Sequence, residues 1–141
     1  MPRAEPLEYF RRSLAQRPSS PFTWSNLVLE KYALGQTDAE FEHALRMAAR
    51  SGPWVAASQT AVANAGLGAW EALREDGSRD AVQGAVMRGL TWPALNPDRQ
   101  RHAETLWKIV VHYDRTGLVC GWKSEAADVV QWCGDDQFQD G

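Results

Sequence analysis

Hydrophobic positions recur along this chain at the three- and four-residue spacing that gathers side chains on one face of a helix. Trp24, Leu27 and Val28 make one such stripe, Phe41, Ala44, Leu45 and Ala48 make a second, and Gly35 stands between them. Residues 21–53 therefore predict a helical hairpin. The punctuation agrees: Ser20 suits an N-cap ahead of Pro21, whose missing N–H is harmless in a first turn, and Gly35 suits the left-handed position past a helix end. Thr37 or Asp38 caps the second helix, and Ser51-Gly52-Pro53 stops it. Neither helix can bury its stripe alone, so the hairpin requires neighbours.

Upstream, Leu7, Phe10 and Leu14 fall on one side of a short helix stopped by Pro18, with Arg11, Arg12 and Arg17 mostly elsewhere. Downstream, residues 54–73 contain no breaker except Gly66 and Gly68, and Val55, Val62, Ala69 and Leu73 fall near one face, which predicts one long helix. Its alanines and glycines let a neighbouring helix come close and leave its middle open to a kink. Glu75-Asp76-Gly77-Ser78 reads as a turn, and Val82, Ala85, Val86 and Leu90 predict a shorter helix ended by Trp92-Pro93. Asn96-Pro97-Asp98 combines an N-cap, an initiating proline and an acid that the helix dipole favours. The helix it opens carries Ala103, Leu106, Trp107, Val110 and Tyr113 and ends at Thr116-Gly117, with Leu118-Val119-Cys120 as a helical turn beyond. Ser124 caps a last helix built on Ala127, Val130 and Cys133, and residues 134–141 predict an acidic, flexible tail. No stretch reads as a convincing strand. The expected class is all-α, in one domain over residues 1–133.

With 141 residues, 44% hydrophobic and 23% charged, the chain can build a core without metal or disulfide staples. A formal net charge of -3 and a pI near 5.6 argue against a partner held mainly through phosphates, so nucleic acid is not expected. No run approaches the ~18 apolar residues of a membrane span, and the chain as written is expected to be soluble. Cys120 and Cys133 lack C-x-x-C spacing and a neighbouring His, which leaves a disulfide or two buried thiols open.

Helices at roughly 15-residue spacing prompt a search for repeats, and a tetratricopeptide repeat of about 34 residues carries a large residue early, a glycine between helices, an aromatic in the second helix and a closing proline. Phe10, Pro18, Trp24, Leu27 and Gly35 hold that phase, and Phe41, Leu45, Ala48 and Pro53 rejoin it after one inserted residue. Residues 7–18 then read as the second helix of an incomplete first repeat. The segments RRSLAQRPSSPFTWSNLVLEKYALGQTDAEFEHALRMAARSGPW, VANAGLGAWEAL and GLVC also resemble a family of bacterial tetratricopeptide-like (TPR-like) proteins associated with exopolysaccharide and capsule synthesis, over residues 10–120. The resemblance implies a TPR-like stack of antiparallel hairpins, about seven helices in a right-handed superhelix. It also implies a periplasmic domain whose full-length form is anchored to the inner membrane by an N-terminal segment that the chain as written lacks. Catalytic residues are not implied. In that compartment, and at their spacing, Cys120 and Cys133 are expected to form a disulfide worth about 3 kcal/mol in the chain-entropy picture.

The expected function is a non-catalytic adaptor that binds a protein or peptide through the groove of the stack, with no cofactor and no metal. Ser25, Asn26 and Leu29 are the expected groove contacts, with Glu30 and Arg46 at the rim. The alternative is a carbohydrate-binding module, because an indole face can stack on a sugar ring. Among seven tryptophans, Trp24 and Trp107 are expected core anchors, Trp54, Trp70 and Trp132 are weaker candidates, and Trp92 and Trp122, beside turns, are the expected platforms. His43, His102 and His112 share no metal-ligand spacing, and the pairs Asp38/Glu40 and Asp135/Asp136 are accounted for by a helix start and a loose tail. Gly66-Leu67-Gly68 has neither a preceding strand nor the third glycine of a dinucleotide loop. A further expectation is self-association through Leu7, Phe10 and Leu14, left uncovered by the missing first helix.

Overall fold

The computed structural model describes residues 5–91, 97–122 and 129–134, and every structural statement concerns those. They form helices α1 (Glu5–Gln16), α2 (Pro21–Ala33), α3 (Ala39–Ser51), α4 (Ala56–Gly68), a 3-10 turn (Trp70–Ala72), α5 (Ser78–Thr91), α6 (Pro97–His112) and α7 (Thr116–Cys120). Residues 129–134 are helical as well, and no strand occurs among the described residues. The protein is all-α. Trp92, Asn96, Ser124, Ala127 and residues 135–141, with the cap, turn and tail expectations that fall on them, lie outside the described residues.

Local rules explain the hairpin. The Ser20 side chain accepts the Thr23 N–H, and Trp24 donates its indole N–H to the Pro18 carbonyl at 2.7 Å, which fixes the turn from α1. Gly35, at φ 72°, ends α2 in a Schellman arrangement: its N–H reaches Tyr32 O, and the Gln36 N–H reaches Lys31 O at 2.8 Å. Asp38 then caps α3 by accepting the Phe41 N–H at 3.0 Å.

Packing follows two rules. Consecutive helices pair, and alternate helices stack: α2 lies on α4, α4 on α6, and α3 on α5. Helices α2, α4 and α6 thus make one layer, with α3 and α5 behind it. The core between the layers is formed by Leu27, Val28, Phe41, Leu45, Val62, Leu67, Val82, Val86, Leu106 and Val110. The glycines of α4 permit the closeness: a Cβ at Gly66 would stand 2.4 Å from Val82 Cγ2, and one at Gly68 would meet the Tyr32 hydroxyl at 2.0 Å.

Four expectations are corrected. Residues 54–73 are not one helix: Val55 is extended (φ -92°, ψ 119°), α4 stops at Gly68, and a separate 3-10 turn follows, because two glycines within three residues weaken the helix where the Tyr32 ring must fit. Helix α6 ends at His112 rather than Thr116, since Asp114 takes the left-handed position (φ 55°) with the Asp114 N–H on Val111 O and the Arg115 N–H on Val110 O. In residues 129–134 it is Val129 that enters the core, while Val130 is 55% exposed. Leu7 and Leu14 are buried against α2 and Phe10 is half-buried, so the apolar side of α1 is covered and gives no ground for self-association.

Candidate functional site

In the layer formed by α2, α4 and α6, both α2 and α4 keep accessible side chains. On α2 the exposed stripe is Phe22, Asn26 and Leu29, which recur at the helical repeat. On α4, which packs against both α2 and α6, Ala57 is exposed and Thr60 and Asn64, at helical spacing from it, are half-buried. Phe22 is 58% and Leu29 37% exposed. The seams beneath are fixed by hydrogen bonds. Ser25 donates to Pro21 O at 2.6 Å and lies 3.1 Å from Ser58 Oγ on α4. Tyr113 donates its hydroxyl to Asn64 Oδ1 at 2.9 Å, and its ring meets Tyr32 edge-on. Burial and the Tyr32 hydroxyl together push the Tyr113 phenol up to about 12.

Of the five expected partner contacts, the structure brings Asn26 and Leu29 together on the exposed stripe of α2 and removes two others. Ser25 is 4% exposed and works inside the α2–α4 seam, because it sits one position round the helix from Asn26 toward α4. Arg46 belongs to a different hollow, between α3 and α5, and donates to Ser78 Oγ at 2.8 Å. Glu30 is half-buried at the edge of the α2 stripe.

The α3–α5 hollow is lined by Arg46 and Arg50 of α3, Asp80 and Arg88 of α5 and Asp76 before α5, with a volume of about 570 Å³. Its walls are set by buried acceptors. The Glu42 carboxylate takes the backbone N–H groups of Arg74 (3.0 Å) and Glu75 (2.8 Å) and so ties the loop before α5 to α3. Burial opposes ionisation there, and these two N–H bonds, with the Ser78 hydroxyl and the Arg46 charge, together outweigh it and lower the Glu42 carboxyl below its ordinary range. Behind the hollow, Pro53 O accepts from Gln59 Nε2 (2.8 Å) and Arg88 Nε (3.2 Å). Gln59 Oε1 faces His102 Nε2 at 2.7 Å, and since an amide oxygen only accepts, the proton is on that Nε2. Burial, then Arg99, holds His102 below its usual value.

A charge relay joins the first three helices. Lys31 has its Nζ 2.7 Å from Asp38 and 2.6 Å from Glu40. Arg11 grips the same Glu40 through Nε (2.9 Å) and Nη2 (2.8 Å). The Arg11 bond, with Lys31 added, holds the Glu40 carboxyl down to about 2 against burial.

The aromatic expectations rearrange too. Trp24 is a core anchor, whereas Trp107 is half-buried and stacks on Trp132. Trp122 is half-buried against Trp70, ring centroids 5.9 Å apart, and Arg79 lies over the Trp70 ring. Trp54 stays exposed. Cys120 and Cys133 form a disulfide. His43 lies edge-on to Trp24 and His112 edge-on to Tyr113, and no three His, Cys, Asp or Glu among the described residues gather as a metal site. No described helix is long and apolar enough to cross a membrane.

Sequence reasoning missed Lys31, Glu42, Gln59 and the Tyr32–Asn64–Tyr113 cluster. Two carried a signal: Lys31 continues the stripe of Trp24, Leu27 and Val28, and Glu42 continues that of Leu45 and Ala49, so each is a charge set in an apolar face. No family model, curated protein or solved structure matches the chain.

Proposed function

We propose that the chain is a non-catalytic interaction scaffold that receives a protein or peptide partner across the outer face of α2 and α4. The observation that carries this reading is the row of exposed, uncharged side chains Phe22, Asn26 and Leu29 on α2, beside the half-buried Thr60 and Asn64 of α4. Contiguous exposed apolar groups with polar neighbours are the ordinary make-up of a protein interface. The Ser25–Ser58 contact holds α2 against α4, and Tyr113–Asn64 ties α4 to the end of α6, so a partner would meet a preorganised surface and lose less entropy on docking. The resemblance to TPR-like proteins of exopolysaccharide and capsule synthesis supports a setting in the assembly or export of a bacterial surface polysaccharide, in the periplasm.

The test is affinity capture from the protein's own cells with the wild-type chain and an Asn26→Asp/Leu29→Glu variant of unchanged helicity. The reading expects a protein retained by the wild type and lost, at least tenfold, from the variant. Equal retention by both would reject this face.

A further inference from the structure

A second surface stands apart from the α2–α4 face. Glu104, Trp107 and Lys108, at helical i, i+3 and i+4 positions of α6, line a hollow of about 260 Å³ that Trp132 closes from residues 129–134. The two indoles stack with centroids 5.3 Å apart and planes at 18°. Trp132 is held there from both sides: its neighbour Cys133 is bonded to Cys120 at the end of α7, and Val129 is anchored in the core.

We infer that this hollow binds a neutral hexopyranose unit, and that the Cys120–Cys133 disulfide assembles it. Its lining is an apolar wall of two indoles with one acceptor and one donor beside it, the pattern of a site that orients a small ring by a few polar groups. A lipid chain would leave the Glu104 carboxylate and Lys108 ammonium unused. An anionic sugar or a phosphate gains nothing from a rim whose two charges cancel on a chain of net charge -3. A pyranose uses every group: its C–H face packs on an indole, one hydroxyl donates to Glu104, and another accepts from Lys108. Release of the disulfide frees Trp132 from Trp107 and opens the wall. The inference does not depend on the proposed partner face.

Tryptophan emission of the oxidised protein, titrated separately with cellohexaose, maltohexaose and hexagalacturonate, tests it. A saturable change is expected with at least one neutral hexasaccharide, with affinity at least tenfold weaker in W132A, in the surface variant E104Q/K108A and in protein reduced with dithiothreitol, while N26D/L29E binds as wild type. Far-UV circular dichroism checks that each variant is folded, and the surface pair serves if W132A is not. No saturable response to either neutral sugar, response to hexagalacturonate alone, or full affinity in both W132A and E104Q/K108A would overturn the site. Full affinity with both thiols free by mass would overturn the role of the disulfide.

Discussion

The α2–α3 hairpin and the C-terminal end beyond Pro97 are both helical, and they are held by different means. Between α2 and α3 the polar joints are short in sequence: Ser20 to Thr23, Lys31 to Asp38 and Glu40, Asp38 to Phe41. At the C-terminal end they reach far back along the chain. His102 meets Gln59, Tyr113 meets Asn64, Arg115 donates to Leu67 O and pairs with Glu71, and a disulfide closes Cys120 on Cys133. The joint between α2 and α3 is thus locally encoded, with Ser25, Glu42 and Arg46 tying the finished hairpin to later segments, while the C-terminal end takes its shape from α4 and from a covalent bond. Disturbing one should leave the other largely in place.

The largest expected effect concerns the buried ammonium. Asp38→Asn with Glu40→Gln strips the 1% exposed Lys31 of both its acids and should cost about 3–5 kcal/mol in denaturant unfolding. Lys31→Met removes the buried charge itself and leaves acids that reach water, so it should cost under ~1.5 kcal/mol. Equal losses would mean that the relay is not organised around Lys31.

Reducing the disulfide should come next, at about 3 kcal/mol for a closed loop of this length. The comparison sharpens where the loss falls: amide exchange should accelerate in α7 and residues 129–134 and stay slow in α2 and α3. Uniform acceleration would show that the two regions are one cooperative unit.

Glu42→Gln keeps the shape of a 3% exposed side chain and removes the charge that receives the Arg74 and Glu75 N–H groups; about 1–3 kcal/mol should be lost, read as a shift in unfolding midpoint. Acid should act most gently. Glu40 is depressed from 4.5 to about 2 by Arg11 and Lys31, so its contribution is complete above pH 4.5 and disappears as pH falls through about 2. Unfolding titrated from pH 5 to 2 should lose this increment in the wild type and lack it in Glu40→Gln; identical slopes would contradict the relay.

The same contrast explains what could be read in advance. Helix starts at Ser20 and Asp38, the Gly35 turn, the core stripes of α2 and α3 and the close-packing role of Gly66 are local patterns, and each was legible in the sequence. Asp114 was not, because an acid in the left-handed region has no marker like that of glycine. Neither was the split of residues 54–73, which depends on where Tyr32 needs room. For the candidate site, the repeat register places Ser25, Asn26 and Leu29 outward together; Asn26 and Leu29 are exposed, and Ser25 is buried because one residue of rotation separates an outward face from a helix seam. Thr60 and Asn64 stand beside that row only through the stacking of α4 on α2, which no spacing in the chain announces.

Site-specific photo-crosslinking in the protein's own cells measures the central claim most directly, with the reactive side chain placed in turn at Leu29 on α2, Thr60 on α4 and Arg12 on α1. One and the same partner adduct from positions 29 and 60, absent from position 12, is the predicted result. Adducts from position 12 alone, or different proteins from 29 and 60, would contradict a scaffold that binds across α2 and α4.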